Sequence, residues 1–424
     1  MRTAIQRSLP GKDDIARSML ANGITVLVRA NYNSPSVVIG GYIFSGSLFD
    51  SDEKLGLSAF TADALLRGSR KRNFQKIFDS LESAGASLSF GAGGHTVGFS
   101  GRSLIEDLPL LFDLLADSLR HPIFPTEQVE RLRAQILTGL SIRAQDTADM
   151  AAITFDKIVY GSHPYSRPDD GWPVTVQAIS RNDLVDFHRL HYGPRGMVIA
   201  IVGAVKAETV AEQVEAVLGT WHNSSQPDLP SLPELKPLTK IVTRKFKIPG
   251  KSQADMVIGS SGPRRKDPEF LPASLGNSVL GQFGTAGRIG EVVREKSGLA
   301  YSARSSLNGG IGPGTWEVSA GVNPANVQKA RALILQEISR FVEKGVTAEE
   351  LADSQSNFIG RLPLSLESNA GVVGALLNME RFDLGLDYYR HYPEMVRAVT
   401  PAEVLSAARK YLHPEKLAVA IAGA

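Results

Sequence analysis

The sequence predicts an α+β protein made of two homologous halves, each a mainly antiparallel sheet packed with helices, which together enclose a cleft. Two observations predict this class. Short β-rich runs alternate with longer helical periodicities, which is typical of mixed α+β architecture. One long stretch of sequence also occurs twice at a constant offset, and the chain of 424 residues has room for two such halves.

The repeat is the stronger of the two observations. Residues 179–204 match residues 399–424 without a gap, so every position keeps the same offset from its counterpart. Ser180 and Thr400 stand where each predicted helix begins, and a proline and a closing glycine coincide further along. A unit of one helix followed by one strand is therefore present twice, which indicates a duplicated domain.

A proline-rich segment separates the halves. Residues 222–240 contain four prolines, cannot hold a helix and are typical of a semi-extended linker. We therefore predict an N-terminal half over 1–221, this linker, and a C-terminal half over 241–424. Two halves of this kind can enclose a cleft.

The elements of the first half follow from local patterns, in chain order. β-rich runs bounded by turn residues predict strands, and apolar residues at helical spacing predict helices. The predicted strands are 23–29, 36–44, a pair through 86–103 and 197–202, and the predicted helices are 56–68, 74–84, 106–119, a long one from Thr126 to Arg143, 149–160 and 180–190.

Composition excludes several classes of protein. Lys and Arg total 46 against 44 Asp and Glu, so the net charge of +2 does not favour binding to nucleic acid. The absence of cysteine removes disulfides, thiolate metal sites and cysteine nucleophiles. No run is long enough to span a bilayer, and residues 1–14 lack the apolar core of a signal peptide. The compartment stays open: cytoplasmic as written, periplasmic if a signal was trimmed.

Residues 281–301 of the second half combine a permissive backbone with two hydrogen-bond donors. Gly281, Gly284 and Gly287 allow a loop to approach a ligand or another backbone closely. A helix is predicted over 288–296, ended by Gly298, with a strand following. Arg294 in the last helical turn and Tyr301 early in the strand can then converge, offering a guanidinium and a phenol to a peptide carbonyl or an oxyanion. The alternative is a solvated arginine and a half-buried strand tyrosine.

Residues 56–69 and 294–301, within two halves of this size, resemble the pitrilysin or insulinase-type zinc peptidases, a family that includes the mitochondrial processing peptidase. The resemblance covers nearly the whole chain, and residues 294–301 are its most specific part. In active members the early helix reads Gly-x-x-His-Phe-x-Glu-His-x-x-x-x-Gly-Thr, in which two histidines bind zinc and the glutamate activates water. Four residues keep this frame in register: Gly56, Phe60, Gly68 and Ser69.

The catalytic positions of that motif depart from the family. Ala59 and Asp63 stand where the histidine ligands would be, and Ala62 stands where the base would be. The third ligand, a glutamate in the family, falls at or beside Gly139. The family's substrate-facing Gly-Gly-x-x-Asn-Ala is altered over residues 84–89 as well. We therefore expect no metal and no cofactor in this chain.

The resemblance implies a function for a chain of this kind. In family members that work as unlike dimers, one chain carries zinc and its metal-free partner supplies the Arg/Tyr pair, a role that falls on Arg294 and Tyr301. We predict a bacterial, non-catalytic, substrate-binding subunit of a heterodimeric zinc endopeptidase, with zinc and His-x-x-Glu-His in a homologous partner and a peptide as substrate. The alternative is a structural scaffold of the same fold, and independent hydrolysis is a third possibility.

The remaining histidines point to no second metal site. His188 and His191 lie one turn apart, but no carboxylate follows at ligand spacing, so a packed helix end is predicted. His95 and His163 are predicted to be loop or strand-end residues.

Overall fold

The computed structural model describes residues 9–282, 284 and 287–423, and it confirms the α+β class. The described chain forms two compact units, each assembled from three stretches of sequence. The first unit contains the described residues up to Leu140, Pro168–Ser231 and Pro363–Arg390, and the second contains Ser141–Arg167, Leu232–Leu362 and the described residues from His391 onward.

The first unit contains a six-stranded sheet in the order β1-β2-β6-β3-β5-β4. All neighbours in this sheet are antiparallel except β2 and β6, which run parallel. The strands are β1 (Ala16–Met19), β2 (Thr25–Ala30), β3 (Ser36–Ile43), β4 (Ser87–Ala92), β5 (Val97–Leu104) and β6 (Val198–Gly203).

The second unit contains a five-stranded sheet in the order β7-β11-β8-β10-β9. Its parallel pair is β7 with β11, so the order reproduces that of the first sheet without β1. The strands are β7 (Val242–Lys247), β8 (Ala254–Ser261), β9 (Ala300–Leu307), β10 (Thr315–Val322) and β11 (Ala418–Gly423). Because β6 and β11 occupy matching positions of the repeated sequence and matching places in their sheets, the predicted duplication is confirmed.

Helices cover the faces of both sheets. Those of the first sequence half are α1 (Leu57–Ala64), α2 (Phe74–Ser83), α3 (Leu108–Arg120), α4 (Thr126–Arg143), α5 (Thr147–Val159), α6 (Pro173–Ala178), α7 (Arg181–His191) and α8 (Ala207–Leu218). Those of the second are α9 (Phe270–Gly281), α10 (Gly287–Gly290), α11 (Val327–Lys344), α12 (Ala348–Ser365), α13 (Asn369–Arg381), α14 (Tyr388–Ala398) and α15 (Pro401–Tyr411).

The equivalent helices α7 and α15 show why the repeat has the same ends in both halves. The Ser180 side chain accepts a hydrogen bond from the backbone N–H of Asp183, whose carboxylate accepts in return from the N–H of Ser180 at 2.7 Å. Thr400 and Glu403 form the same capping box, also with a 2.7 Å return bond. Each box satisfies N–H groups that the first helical turn leaves without intrahelical partners.

One pair of equivalent helices is exchanged between the sequence halves. α5, from the first half, packs on β8 and β11 of the second unit. α13 is its counterpart in the second half and packs on β3 and β6 of the first unit, where its apolar side chains join those of the sheet. The repeat in the sequence and the compact units in space therefore have different compositions.

Each sheet has a separate apolar core on one face, and the first sheet has a further, smaller one beneath α13. Within the described ranges, we find no helix that combines the length and the apolar character needed to cross a bilayer.

Candidate functional site

Helix α1 begins at a glycine because no other residue fits there. Gly56 has φ of +95°, and a Cβ atom added to it would lie 2.8 Å from the carbonyl oxygen of Asp170. The carboxylate of Asp50 accepts hydrogen bonds from the N–H groups of Gly56 and Ser58, at 2.9 and 3.0 Å. A buried carboxylate thus satisfies the helix N-terminus, where negative charge is favourable.

The other three frame residues also have structural roles. Phe60 is 1% exposed and lies under the guanidinium of Arg133, whose central carbon is 5.1 Å from the ring centroid. Gly68 has φ of +148°, and the hydroxyl of Ser69 donates to the buried Asp117 carboxylate. The frame is therefore explained by packing and hydrogen bonding, without a metal.

Two of the three positions of the family's zinc ligands, and the position of its base, carry no polar side chain. Ala59 is half-buried, Ala62 is fully buried, and Gly139 is exposed with open space where a Cβ would be. Among the described residues, no group of three His, Cys, Asp or Glu side chains could hold a metal ion. A cavity of about 300 Å³ adjoins the positions of the base and of one ligand, Ala62 and Asp63. Its lining residues are Ala62, Asp63, Leu66, Arg67, Phe74, Phe78, Leu88, Ser89, Phe90 and Leu132. We call it the α1 pocket.

Asp63 is the one carboxylate that lines the α1 pocket. The residue keeps access to solvent, yet the apolar groups packed around its carboxyl raise the pKa to about 6, and the positive charge of Arg67 only partly offsets this. The Arg67 guanidinium donates to Gln135 on α4 at 3.0 Å and lies 5.2 Å from the centroid of the Phe74 ring. Arg67 is thus held between a helix and an aromatic ring, while Asp63 has no hydrogen-bond partner within the described part of the chain.

The two histidines of α7 are packing residues, as the sequence predicts. His188 bonds through Nε2 to the carbonyl of Leu119 at 2.8 Å, and the ring of His191 lies 4.5 Å from that of Phe49. Burial lowers the pKa of each imidazole to about 4. Both rings are therefore neutral near pH 7.

In the second unit, Gly281 and Gly287 lie where two segments of the backbone pass very close to each other. A Cβ on Gly281 would lie 2.3 Å from the backbone nitrogen of Ser305 in β9, and one on Gly287 would lie 2.5 Å from the carbonyl oxygen of Val279. Gly284 is exposed with φ of +61°. Phe283, Thr285 and Ala286 lie outside the described residues. The close approach at Gly281 and Gly287 is thus to the chain's own backbone.

The helix predicted over 288–296 differs from the one observed. α10 ends at Gly290 and continues as a π-helical turn over Glu291–Glu295, in which the N–H of Lys296 donates to the carbonyl of Glu291 at 2.9 Å. It ends at Gly298, with φ of +60°, where the N–H groups of residues 298 and 299 return to the carbonyls of residues 294 and 293. The bond from Gly298 to Arg294 is that of an αL cap, and it places Arg294 in the last turn, as predicted.

Tyr301 is the extra residue of a β-bulge. Ser302 pairs with Gly321 of β10 and Ala300 pairs with Val322, so Tyr301 has no partner on the neighbouring strand. A bulge re-aims the side chain that it carries. Tyr301 is accordingly 93% exposed, which rules out the alternative of a half-buried strand residue.

Two arginines of the same segment have contrasting environments. Arg288 donates to the carboxylate of Glu350 at 2.7 and 2.6 Å and to the carbonyl of Gly345 at 3.0 Å, and its side chain is 14% exposed. The Arg294 side chain is 44% exposed, and its Nε lies 2.9 Å from the Glu295 carboxylate. Arg288 therefore has a structural role, whereas Arg294 keeps donors available to a ligand.

The structure thus presents Arg294 and Tyr301 to solvent on one turn-and-strand segment, and it places Asp63 beside apolar side chains in the first unit. Sequence reasoning found these residues but missed the bulge and the pocket. Leu88 and Phe90 alternate with serine and glycine in β4, and that pattern could have indicated an apolar wall beside α1.

Comparisons with known proteins agree with this architecture. Residues 25–159 match the model described as insulinase (peptidase family M16), and residues 178–358 match the peptidase M16 inactive domain. An "uncharacterized zinc protease" of Streptomyces coelicolor is 26% identical over 95% of this chain and 88% of that protein.

Solved structures show the same fold. A peptidase M16 inactive domain from Pseudomonas fluorescens superposes with a TM-score of 0.90 and 25% identity, covering 96% of this chain and 97% of that one. A protease from Helicobacter pylori gives 0.89 at 17% identity, covering 98% and 100%. With both of its halves matched by models of one family and at least 96% of its length covered by these superpositions, the chain belongs to the M16 (insulinase) peptidase family.

Proposed function

We propose that this chain is the non-catalytic, substrate-binding subunit of a heterodimeric zinc endopeptidase that acts on peptides or unfolded polypeptides. The homologous partner would carry the zinc ion and the His-x-x-Glu-His motif. This chain would contribute Arg294 and Tyr301, whose donors hold the carbonyl of the peptide bond that is cleaved.

The observation that carries the proposal is the exposure of Tyr301. A tyrosine that is 93% exposed contributes little to the core, and the bulge aims its ring away from the sheet. Arg294 adds a guanidinium that is 44% exposed and stands just before the turn that leads to Tyr301. A phenol and a guanidinium are strong donors, and donors of this kind strengthen as negative charge develops on a carbonyl oxygen.

The first unit supports a division of labour between two chains. The frame of the metal-binding helix is present, but Ala59, Ala62 and Gly139 carry no group that can bind a metal or activate water. The relative from Streptomyces coelicolor is named a zinc protease. For this chain to take part in such chemistry, a second chain must supply the metal, which activates the attacking water.

The scaffold function remains the second candidate, and one contact favours it. The Nε of Arg294 already lies 2.9 Å from the carboxylate of Glu295, a neighbour with a similar degree of exposure. A surface ion pair of this kind needs no substrate to explain it. The two candidates differ in whether Arg294 and Tyr301 affect turnover.

The experiment is to co-express this chain with a homologue that has an intact His-x-x-Glu-His motif, sought first in the neighbouring reading frame. We expect sedimentation to show a one-to-one complex that cleaves an unstructured peptide, and we expect activity from neither chain alone. Metal analysis should find zinc in the partner only. Full activity in the partner by itself would contradict the proposal.

A further inference from the structure

Residues 236–251 of the second unit concentrate positive charge on one edge of its sheet. This stretch contains six lysines and arginines and no aspartate or glutamate. The whole chain has 46 Lys and Arg against 44 Asp and Glu, so its overall balance hides the local excess. We call the stretch the β7 basic run, and its cations are Lys236, Lys240, Arg244, Lys245, Lys247 and Lys251.

The charges of the β7 basic run are open to solvent and are not neutralised nearby. All of its cations are exposed except Lys251, which is half-buried. Among the described residues, none of them forms an ion pair with a carboxylate. α11 brings a further cation to the strand, since the Arg331 guanidinium donates to the Thr243 hydroxyl at 3.3 Å. The fields of these cations add, and they give this edge a positive potential.

Protection of a sheet edge does not account for the run. β7 is an edge strand that pairs only with β11 in the described part of the chain, and lysines at an edge hinder unwanted strand pairing. The other three edge strands, β1, β4 and β9, carry at most one cation each. The cation of β1, Arg17, is held by the Glu380 carboxylate at 2.8 and 3.0 Å. Half of the basic run also lies outside β7, at Lys236, Lys240 and Lys251.

An exposed aromatic ring lies among the cations. Phe246 is 38% exposed, and an open apolar ring does not protect an edge from association. Cations beside an aromatic ring suit the surface of a membrane, where lysine and arginine meet anionic headgroups and aromatic rings lie at headgroup level. Single-stranded nucleic acid is instead held in a groove where successive bases stack on several aromatic side chains. An edge strand is the outermost part of its sheet and can lie against a planar surface.

We propose that the β7 basic run is a docking surface for the anionic headgroups of a lipid bilayer. This inference goes beyond the proposed function, because it needs neither a partner subunit nor zinc and lies outside residues 288–301. Docking would hold the chain at a membrane surface without a membrane-spanning segment.

The test is sedimentation of the full chain with lipid vesicles. One set contains phosphatidylcholine with phosphatidylglycerol, and the other contains phosphatidylcholine alone. We expect binding to the anionic vesicles only. Raising NaCl from about 0.1 M to about 1 M should release the protein, because the Debye length falls from about 10 Å to about 3 Å. A labelled single-stranded DNA oligonucleotide should bind more weakly than the anionic vesicles at the lower salt concentration.

Matched triple variants assign the binding to the run. The combination of Lys240→Gln, Arg244→Gln and Lys247→Gln should lower the partition coefficient by roughly 100-fold, which is about fivefold for each cation. The control combines Lys76→Gln, Arg102→Gln and Lys206→Gln, three exposed cations of the first unit. It removes the same total charge and should bind as the wild type does. Thermal melts check that both variants are folded.

The aromatic ring has a test of its own. Phe246→Ser should weaken binding severalfold and leave all six cations in place, because only the apolar contact with the headgroup region is lost.

Four outcomes would overturn the inference. The first is the absence of binding to anionic vesicles, and the second is equal binding to both sets of vesicles. The third is an equal loss of binding in the two triple variants. The fourth is tighter binding of the oligonucleotide than of the vesicles, which would reassign the surface to nucleic acid.

Discussion

The α1 region of the first unit and residues 288–301 of the second unit differ in what the fold requires of them. At α1 the family's frame is present for packing reasons, since Gly56 avoids a backbone clash and Phe60 fills the core. In the second region Arg294 and Tyr301 are exposed and do little for the fold. A motif residue whose presence is explained by packing says little about function. A pair of hydrogen-bond donors that is exposed and that the core does not need says more about function.

The largest expected effect is on turnover in the assembled complex. Arg294→Ala or Tyr301→Phe should lower kcat by roughly 10²–10³-fold, the scale for removing one oxyanion donor. If the two side chains only position the bound peptide, the same substitutions would raise KM instead. Arg294→Lys should rescue poorly, because an ammonium lacks the planar fork. Arg304→Ala, which removes another exposed arginine from β9, is the matched control. Unchanged kinetics in a properly assembled complex would favour the scaffold function.

The second prediction separates Arg288 from Arg294 by stability. Arg288→Met should lower the free energy of unfolding by about 3 kcal/mol, because it leaves Glu350 without its cation and removes one of the two arginines beside the buried Glu337. Arg294→Ala should change it by less than about 0.5 kcal/mol, as is usual for exposed positions. Urea unfolding of both variants provides the measurement. Equal losses would mean that Arg294 is also structural.

The third prediction tests whether the repeated elements are equivalent in energy as well as in geometry. Ser180→Ala and Thr400→Ala each remove a capping box with the same return bond of 2.7 Å. Each should cost about 1 kcal/mol. Thermal melts should therefore show similar shifts for the two variants, and a much larger loss at one cap would show that the halves are not energetically equivalent.

The smallest expected effect is a pH-dependent change in the melting temperature when Asp63 is replaced. Its pKa is raised to about 6 from the ordinary value of 3.8, so the folded state holds the proton more tightly than the unfolded chain does. The associated stability is present below pH 3.8 and is lost as pH rises through about 6. Asp63→Asn should therefore raise the Tm slightly at pH 8 and leave it unchanged near pH 3.5. A Tm that falls at pH 8 would show that the carboxylate is stabilising.

The sequence was sufficient for the repeated unit of α7 and β6, because capping residues, the stopping proline and the closing glycine are local signals. It also placed Arg294 before a turn and Tyr301 in a strand. It missed the π-helical turn at 291–295 and the bulge at Tyr301. Both depend on how the segment fits its neighbours, since a local pattern does not record an i+5 hydrogen bond or the strand register.

The exchange of α5 and α13 was also beyond local reasoning. The sequence pattern of an amphipathic helix indicates which of its faces is buried, but it does not indicate which of two sheets that face packs against. The predicted boundaries at 221 and 241 stay a prediction about the repeat in sequence. The α1 pocket could not be predicted either, since it is lined by side chains from several separate elements.

The exchanged helices have a consequence for how the chain is made. α13 is synthesised long after Gly203 completes the first sheet, because four strands of the second sheet, β7 to β10, come between them in the chain. Domains usually fold as they leave the ribosome, N-terminal first. Here the face of the first sheet that α13 covers stays exposed until nearly the whole chain has been translated. Pairing over such sequence distances slows folding, and we expect the nascent first half to be a client of chaperones.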